Sequence, residues 1–388
     1  MSAMRVRASN VSMVHVNPLR AHIRAMEEAE LCHSVRVEHL GGVKGAGVVA
    51  GKYGVEGGVR LVSEPPLVTV PSLAFRRTAC TACLRSSPVP LRLCTPCAQA
   101  ASCERSDTCA SAHSLAECKA LSKAPELSDD AFSALLLLCR CSALPEDQLS
   151  SLMRLCSCAH PADSFSDLLR SIWPLLNPPF HLSFSDCLSL LSKEAANSFG
   201  LGPTDSLHAS PSDSNDSDEL VGIALPGSDG ATKFNHACLP NACWLQRRCE
   251  SQHDLRIEVR TLRRIEPGEE VCISYFPINA PLSARQQKLS DEYGFQCNDE
   301  CWRCEVERRA GWDEREGHAE EEEEEEGENE RQLEMWLLAR LCDNGACRGT
   351  MVPVEVGDSL ERCECSRCGH ERSYEELLRA LSRAEQEG

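Results

Sequence analysis

The chain has 388 residues, enough for two or three domains or for one large core with appended modules. Hydrophobic residues make up 42% of it, and no apolar run approaches the ~18–20 residues that a membrane helix needs, which argues against helical membrane spans. A formal net charge of −19 disfavours non-specific nucleic-acid binding and suits basic partners such as Lys- and Arg-rich protein tails.

Residues 1–33 form an N-terminal extension. Arg5, Arg7, Arg20 and Arg24 precede the first acid, Glu27, a pattern open to an organelle transit segment but better suited to a disordered extension followed by a short helix. Short strands begin at Ser34–Leu40 (SVRVEHL). A glycine turn follows in Gly41–Gly51 (GGVKGAGVVAG), and strands at Gly58–Ser63 and Leu67–Val70 flank Glu64-Pro65-Pro66. Residues 80–118 are dense in cysteine with almost no hydrophobic periodicity, so metal has to supply their core. From Leu127 to Ser198 the pattern is helical. Ser128-Asp129-Asp130 can cap the first helix, and others are expected near Glu146–Cys156, Ser164–Ile172 and Ser183–Ala196. Thr204–Glu219 is a polar Ser/Asp linker, and strands return at Leu220–Leu225, Asp254–Leu262 and Glu270–Tyr275. Beyond Cys304 the chain turns acidic, and the unbroken glutamate run Glu320–Glu326 has the composition of a solvated, disordered segment. A helix over Ser373–Ala384 closes the chain. This order gives an α+β fold. A mostly β domain in two parts, 34–79 and 199–276, is interrupted by a finger at 80–118 and a helical insert at 119–198. A cysteine cluster at 277–305, an acidic linker at 306–332 and a zinc-ribbon-like module at 333–388 complete it.

Cysteine is the most informative residue type, with 25 in the chain. Many stand two residues apart, spacing that suits zinc better than disulfides, and no secretory signal is evident, so a nuclear or cytoplasmic setting is expected. The first group holds Cys80, Cys83, Cys94, Cys97, Cys103, Cys109, His113 and Cys118, enough ligands for two closed tetrahedral sites. The second, Cys297, Cys301 and Cys304, offers three thiolates and needs a fourth ligand, for which Cys238 is a candidate. The third, Cys342, Cys347, Cys365 and Cys368, reads as a zinc ribbon with a wide first knuckle, in which Cys363 could replace one ligand.

The stretch Phe234–Trp244 (FNHACLPNACW) gathers Asn235, His236, Cys238, Asn241 and Cys243 around a proline, with an aromatic at each end. Its context is LysGlyAlaGly at 44–47, Glu64-Pro65-Pro66, the finger Cys80–Cys118, AsnSerPhe at 197–199, GlyGluGluValCysIleSerTyr at 268–275, and Phe295 with Cys297–Cys304. In this order the pieces, from about 35 to 305, resemble the SET domain of the SET- and MYND-domain lysine methyltransferases, with Cys80–Cys118 where that family inserts its MYND finger. The resemblance implies a transfer of methyl groups from S-adenosylmethionine to lysine side chains of proteins. It also implies that Lys44, Gly45, Ala46, Asn197, Asn235, His236, Tyr275 and Phe295 line the cofactor pocket. By the same resemblance, Cys238 would bind zinc with Cys297, Cys301 and Cys304, Asn241 would help fix the turn, and the Tyr275 hydroxyl would orient the amine as the catalytic residue. This chain departs from the family in having Ala237 where Ser is usual and five residues between Cys103 and Cys109.

Expected partners are a protein with an exposed lysine, a histone among the possibilities, and a proline-rich peptide at the finger. The chain is expected to act as a monomer, with no membrane and no sequence-specific nucleic acid. The competing class is a catalytically inactive, zinc-stabilised interaction module serving as a transcriptional co-regulator. A nucleic-acid-binding zinc protein is disfavoured, because before Lys119 the finger carries only Arg85, Arg92 and Arg105 as basic residues.

Overall fold

The computed structural model describes residues 31–379, apart from 42–43, 86–90, 104–108, 110–111, 124–125, 161, 177–179, 203–219, 250–253, 298–300, 312–323, 345–346, 348, 357–358 and 377–378. The expected N-terminal extension up to residue 30, the linker Thr204–Glu219, Glu320–Glu323 and the end of the last helix lie outside the described residues.

Strands β1 (Val35–Gly41) and β2 (Gly45–Ala50) form an antiparallel hairpin across the glycine turn, with Val35 opposite Ala50. Gly41 and Gly45 have φ of 74° and 60°, which is why glycine stands at both ends of the turn. β3 (Arg60–Glu64) and β4 (Val68–Pro71) follow, separated by Pro65-Pro66; neither proline can donate to a ladder, and the two strands go to different sheets. The finger contributes only β5 (Arg92–Leu93) and β6 (Ala101–Ser102), then α1 (Leu115–Lys123).

The helical insert comprises α2 (Asp129–Cys141), α3 (Glu146–Met153), α4 (Ser166–Ile172) and α5 (Phe184–Asn197). Ser128 Oγ accepts the Ala131 amide at 3.3 Å, as expected of a cap, and Ser183 with Asp186 makes a reciprocal capping box at 3.1 and 3.0 Å. Leu135–Leu138 of α2 are all buried, so the middle of this helix is enclosed on every side and forms the centre of its layer. Its core joins Val68, Val70 and Leu225 to Cys97 and Cys118 of the finger, so finger, insert and β4 share one interior.

β7 (Phe199–Leu201) and β8 (Gly222–Leu225) complete the sheet of β4 in the order β4-β8-β7. β9 (Asn235–His236), β10 (Ala242–Cys249), β11 (Asp254–Thr261) and β12 (Glu270–Ile273) build the centre. One sheet runs β1-β2-β12-β9, its last pair parallel, and another runs β10-β11-β3. Val48, Val62, Phe199, Phe234, Val259, Val271 and Ile273 fill the space between sheets. After β12 come α6 (Leu282–Lys288), α7 (Trp302–Arg309), α8 (Glu324–Arg340) and a small sheet of β13 (Met351–Val356), β14 (Ser359–Cys365) and β15 (Glu371–Ser373). That sheet packs Val352 against Cys243, Leu245 and Leu262, and Glu364 pairs with Arg247 of β10.

Three expectations need correction. The acidic stretch is not wholly irregular: α8 covers Glu324–Arg340 and α7 occupies Trp302–Arg309. The strand expected to reach Tyr275 stops at Ile273, because Ser274 Oγ turns the chain by bonding Phe276 O at 2.8 Å and accepting the Phe276 amide at 3.4 Å. The closing helix starts at Tyr374 after β15, with Ser373 and Glu376 exchanging 3.0 Å bonds as its cap.

Candidate active site and metal centres

Four groups of side chains bring their ligand atoms within 4.8 Å of one another: Cys80, Cys83, Cys103 and Cys109; Cys94, Cys97, His113 and Cys118; Cys238, Cys297, Cys301 and Cys304; Cys342, Cys347, Cys365 and Cys368. Every ligand expected from the sequence falls into one of these sets, and Cys363 falls outside them. The finger's ligands interleave, the first and third pairs making one set and the second and fourth the other. Tetrahedral zinc with Zn–S of ~2.3 Å puts neighbouring sulfurs about 3.8 Å apart. The pairs Cys83–Cys103, Cys94–Cys118, Cys238–Cys304, Cys342–Cys368 and Cys347–Cys365 lie at 3.8, 3.5, 3.5, 3.7 and 3.6 Å, and Cys97 Sγ is 3.3 Å from His113 Nε2. These donor sets fit zinc. No disulfide joins any described cysteine.

Buried charge supports two of the centres. His113 Nδ1 lies 3.0 Å from Glu117 Oε2, and Glu117 Oε1 accepts from Arg140 Nε at 2.9 Å. Arg140 also donates to Thr81 O at 2.9 Å, to Thr81 Oγ1 at 2.5 Å and to Thr69 O. Thr81 lies between the ligands Cys80 and Cys83, so one guanidinium ties both finger sites to β4. Burial works against the charge of Glu117, but Arg140 and His113 outweigh it and hold its pKa below the ordinary carboxylate value. At the third site, Arg285 and Arg303 are fully buried against Glu307. Arg303 donates to Cys238 O at 2.9 Å and Arg285 to Cys304 Sγ at 3.7 Å. Zinc held by four thiolates is net anionic, and these arginines face that charge.

The third site is continuous with the centre of the β domain. Cys238 follows β9, which pairs Asn235 with Cys272 and His236 with Ile273 of β12. Asn241 locks the crossing: its amide donates to Glu270 O at 2.8 Å and Glu269 Oε1 at 3.0 Å, and its oxygen accepts the Cys272 amide at 2.8 Å. His236 Nδ1 accepts the Tyr275 amide at 3.1 Å, which leaves the proton on Nε2, 3.4 Å from Cys238 Sγ. Burial, and then Arg285, hold His236 down at about 3, so it is neutral. Its two nitrogens thus link Cys238, one of the four sulfurs that could hold zinc, to the backbone of Tyr275.

Tyr275 lies in a cleft of about 90 Å³ lined by Ala196–Gly200, Ala231, Thr232, Phe234, Trp244, Ile273–Tyr275 and Tyr293. No acidic side chain is among these residues. The Tyr275 ring stacks at 4.8 Å on Tyr293, which meets Phe295 at 6.3 Å, and its hydroxyl donates to Phe234 O at 3.2 Å. Burial first, and then Tyr293, push its pKa well above the ordinary value, so the phenol keeps its proton.

Of the residues expected to line a cofactor pocket, Asn197 and Tyr275 line the cleft. Asn197 also donates to Cys156 O and Lys193 O at 2.7 and 2.8 Å. Asn235 reaches Ala46 O at 3.3 Å and Glu270 Oε1 at 2.9 Å, and Lys44 pairs with Glu270 Oε2 at 2.6 Å. Lys44, Ala46 and Asn235 are therefore linked around Glu270, at the start of β12, while His236 contacts Tyr275 directly and Phe295 meets Tyr293, which packs on Tyr275. The turn is open: nothing lies within 4 Å of a Cβ built on Gly45. Sequence reasoning missed Phe234, Trp244 and Tyr293 as cleft walls, although the aromatics ending FNHACLPNACW were a visible signal. It also missed the buried arginines, Arg303 within CWRCEVE and Arg285 in α6.

Residues 137–276 match the family model of the SET domain. The histone-lysine N-methyltransferase ASHR2 of Arabidopsis thaliana is 30% identical over 234 residues, covering 52% of this chain and 54% of that one. The N-lysine methyltransferase SMYD2-B of Danio rerio is 28% identical over 127 residues, or 32% of this chain and 24% of that one. The chain thus spans about half the length of the first relative and a quarter of the second. A crystal structure of the SET domain of LSMT bound to lysine and AdoHcy overlaps loosely, covering 74% of this chain and 59% of that one at 12% identity and a TM-score of 0.36. The chain thus carries a stretch that matches the SET domain, and it is similar to proteins named as lysine methyltransferases.

Proposed function

We propose that this chain transfers methyl groups from S-adenosylmethionine to lysine side chains of proteins, histones among them, in a nuclear or cytoplasmic setting. The observation that carries this reading is the aromatic cleft around Tyr275, closed by the β9–β12 pair that holds Asn235 and His236. When bound, the cofactor supplies an electrophilic methyl group on a sulfonium. Lys44, Gly45, Ala46 and Asn235 would hold it on the open turn, with His236, Asn197 and Phe295 nearer to Tyr275.

The protein's own task is largely placement and desolvation. A free lysine has a pKa of ~10.4, so only about one amine in a thousand is neutral near pH 7.4. The cleft walls Phe234, Trp244, Ile273 and Tyr293 are apolar or aromatic and offer no carboxylate, so they penalise the ammonium and favour the neutral amine. Tyr275 stays protonated and its ring is held by tilted contacts with His236 at 5.2 Å and Tyr293 at 4.8 Å, so the hydroxyl is a positioned orienting group. His236 sets the Tyr275 backbone through the 3.1 Å bond to its amide. Mass spectrometry of a histone and lysate mixture incubated with the zinc-loaded protein and cofactor tests the reading. New methyl-lysine that depends on Tyr275 supports it, and none at saturating cofactor refutes it.

A further inference from the structure

Glu64 ends β3, just before Pro65-Pro66, and is buried, yet it lies outside the cleft lining. Its Oε1 accepts the Ala231 amide at 2.5 Å. Gly230 packs against the same carboxylate so tightly that a Cβ there would collide with it. The turn held in this way carries Ala231 and Thr232 into the cleft wall and continues through Phe234 to Asn235 and His236. Strand β3 itself is fixed against β11 by the pairing of Glu64 with Ile257, so the carboxylate is a stationary anchor.

We propose that Glu64 is a positioning residue which, through the Ala231 amide, fixes the turn that walls the cleft and so sets how well the cleft holds an alkylamine side chain. The proposal rests on reading the cleft as the site of methyl transfer to lysine. A buried backbone N–H needs an acceptor, and an ionised acceptor binds it more tightly than a neutral one. Burial, first, pushes Glu64 up to about 7, with the Ala231 amide pulling the other way; the charged groups facing it are Asp229 of the same turn, which raises it, and Arg256 of β11, which lowers it. The anchor therefore changes charge close to neutral pH, and the hold on Ala231 tightens as the pH rises.

The test uses the full zinc-loaded chain as wild type, Glu64→Gln and Glu64→Ala. Hydrogen exchange of residues 228–236 is read by mass spectrometry, and KM and kcat for a lysine peptide are measured from about pH 6 to about pH 8. Glu64→Ala should speed exchange of this segment about tenfold and raise KM about fivefold. Glu64→Gln keeps an acceptor, so it should restore slow exchange. The ratio of its KM to that of wild type should change through about pH 7, because the titration of the peptide amine cancels in the ratio. Unchanged exchange and KM in Glu64→Ala would overturn the anchoring. A pH-independent KM ratio for Glu64→Gln would overturn the role of its charge. Exchange needs no turnover, so faster exchange in Glu64→Ala beside a wild type without transferase activity would uphold the anchor while sinking the methyl-transfer reading.

Discussion

Replacing Arg140 with alanine asks whether the finger and the β domain are one structural unit. The guanidinium holds Glu117, which is 1% exposed, and reaches the carbonyls of Thr69 on β4 and Thr81 between two zinc ligands. Its loss leaves a buried carboxylate without its cation, and breaking one side of such a pair costs roughly 3–5 kcal/mol. The two carbonyls left unpaired each add about 1 kcal/mol before water and relaxation recover part of it. We expect a loss of about 4 kcal/mol in the unit containing α2 and the finger. Glu117 also orients His113 at 3.0 Å, and outer partners of this kind are worth ~10–100-fold in metal affinity. The assay combines thermal melting at fixed free zinc with zinc release to a chromophoric chelator, for wild type, Arg140→Ala and Arg140→Lys. Lysine keeps the charge without the planar fork, so it should fall between the two. One zinc should leave ~10–100-fold faster from Arg140→Ala while release from the other sites is little changed. A stability loss below about 1 kcal/mol with unaltered release would refute the reasoning.

Elemental analysis of protein purified without chelator should give about four zinc per chain, and a value below about two would sink the finger assignment. Asn241→Ala removes three hydrogen bonds and leaves the Cys272 amide and Glu270 carbonyl unpaired. It should cost about 3 kcal/mol in urea unfolding, and a cost near zero would mean that the β12 crossing is held by something else. Glu64 is raised from 4.5 to about 7 in the folded chain, so the folded state keeps a proton that the unfolded chain releases. Stability from this group is full below about pH 4.5 and is lost as the pH rises through about 7. Glu64→Gln should thus match wild type near pH 5 and exceed it by up to about 3 kcal/mol above pH 8; equal melting temperatures across that range would contradict the shift.

What could be read from the sequence was local. Cysteine pairs set two residues apart announce zinc whatever the fold, and all four ligand sets assemble from residues chosen by spacing and motif. The helices of the insert were legible because Ser128 and Ser183 stand directly before apolar periodic runs. β10 was not, since ACWLQRRC lacks a clean alternation: Arg247 is satisfied by Glu258 and by Glu364 of the C-terminal sheet, a contact between segments more than a hundred residues apart. The cleft walls were hidden for the same reason, because Phe199, Phe234, Trp244 and Tyr293 converge from separate elements. Nothing in the sequence singles out Arg285 and Arg303; their burial follows from Glu307 and the cysteine cluster beside them. His236, expected to line a cofactor pocket, engages protein atoms with both ring nitrogens, Tyr275 N and Cys238 Sγ, contacts that only the fold brings together.

The central claim is methyl transfer in the Tyr275 cleft. Its most direct test is the rate of transfer from labelled S-adenosylmethionine to a histone and lysate mixture by wild type and Tyr275→Phe, with S-adenosylhomocysteine binding measured by calorimetry alongside. The substitution removes the hydroxyl and its 3.2 Å bond to Phe234 O while the ring contacts to His236 and Tyr293 remain. If the hydroxyl orients the amine chiefly in the transition state, a loss of ~2–3 kcal/mol lowers transfer about 30- to 150-fold with cofactor affinity nearly unchanged. Full activity in Tyr275→Phe would contradict the role given to that hydroxyl. A zinc-loaded wild type that binds no cofactor would contradict the claim itself and leave the interaction module standing.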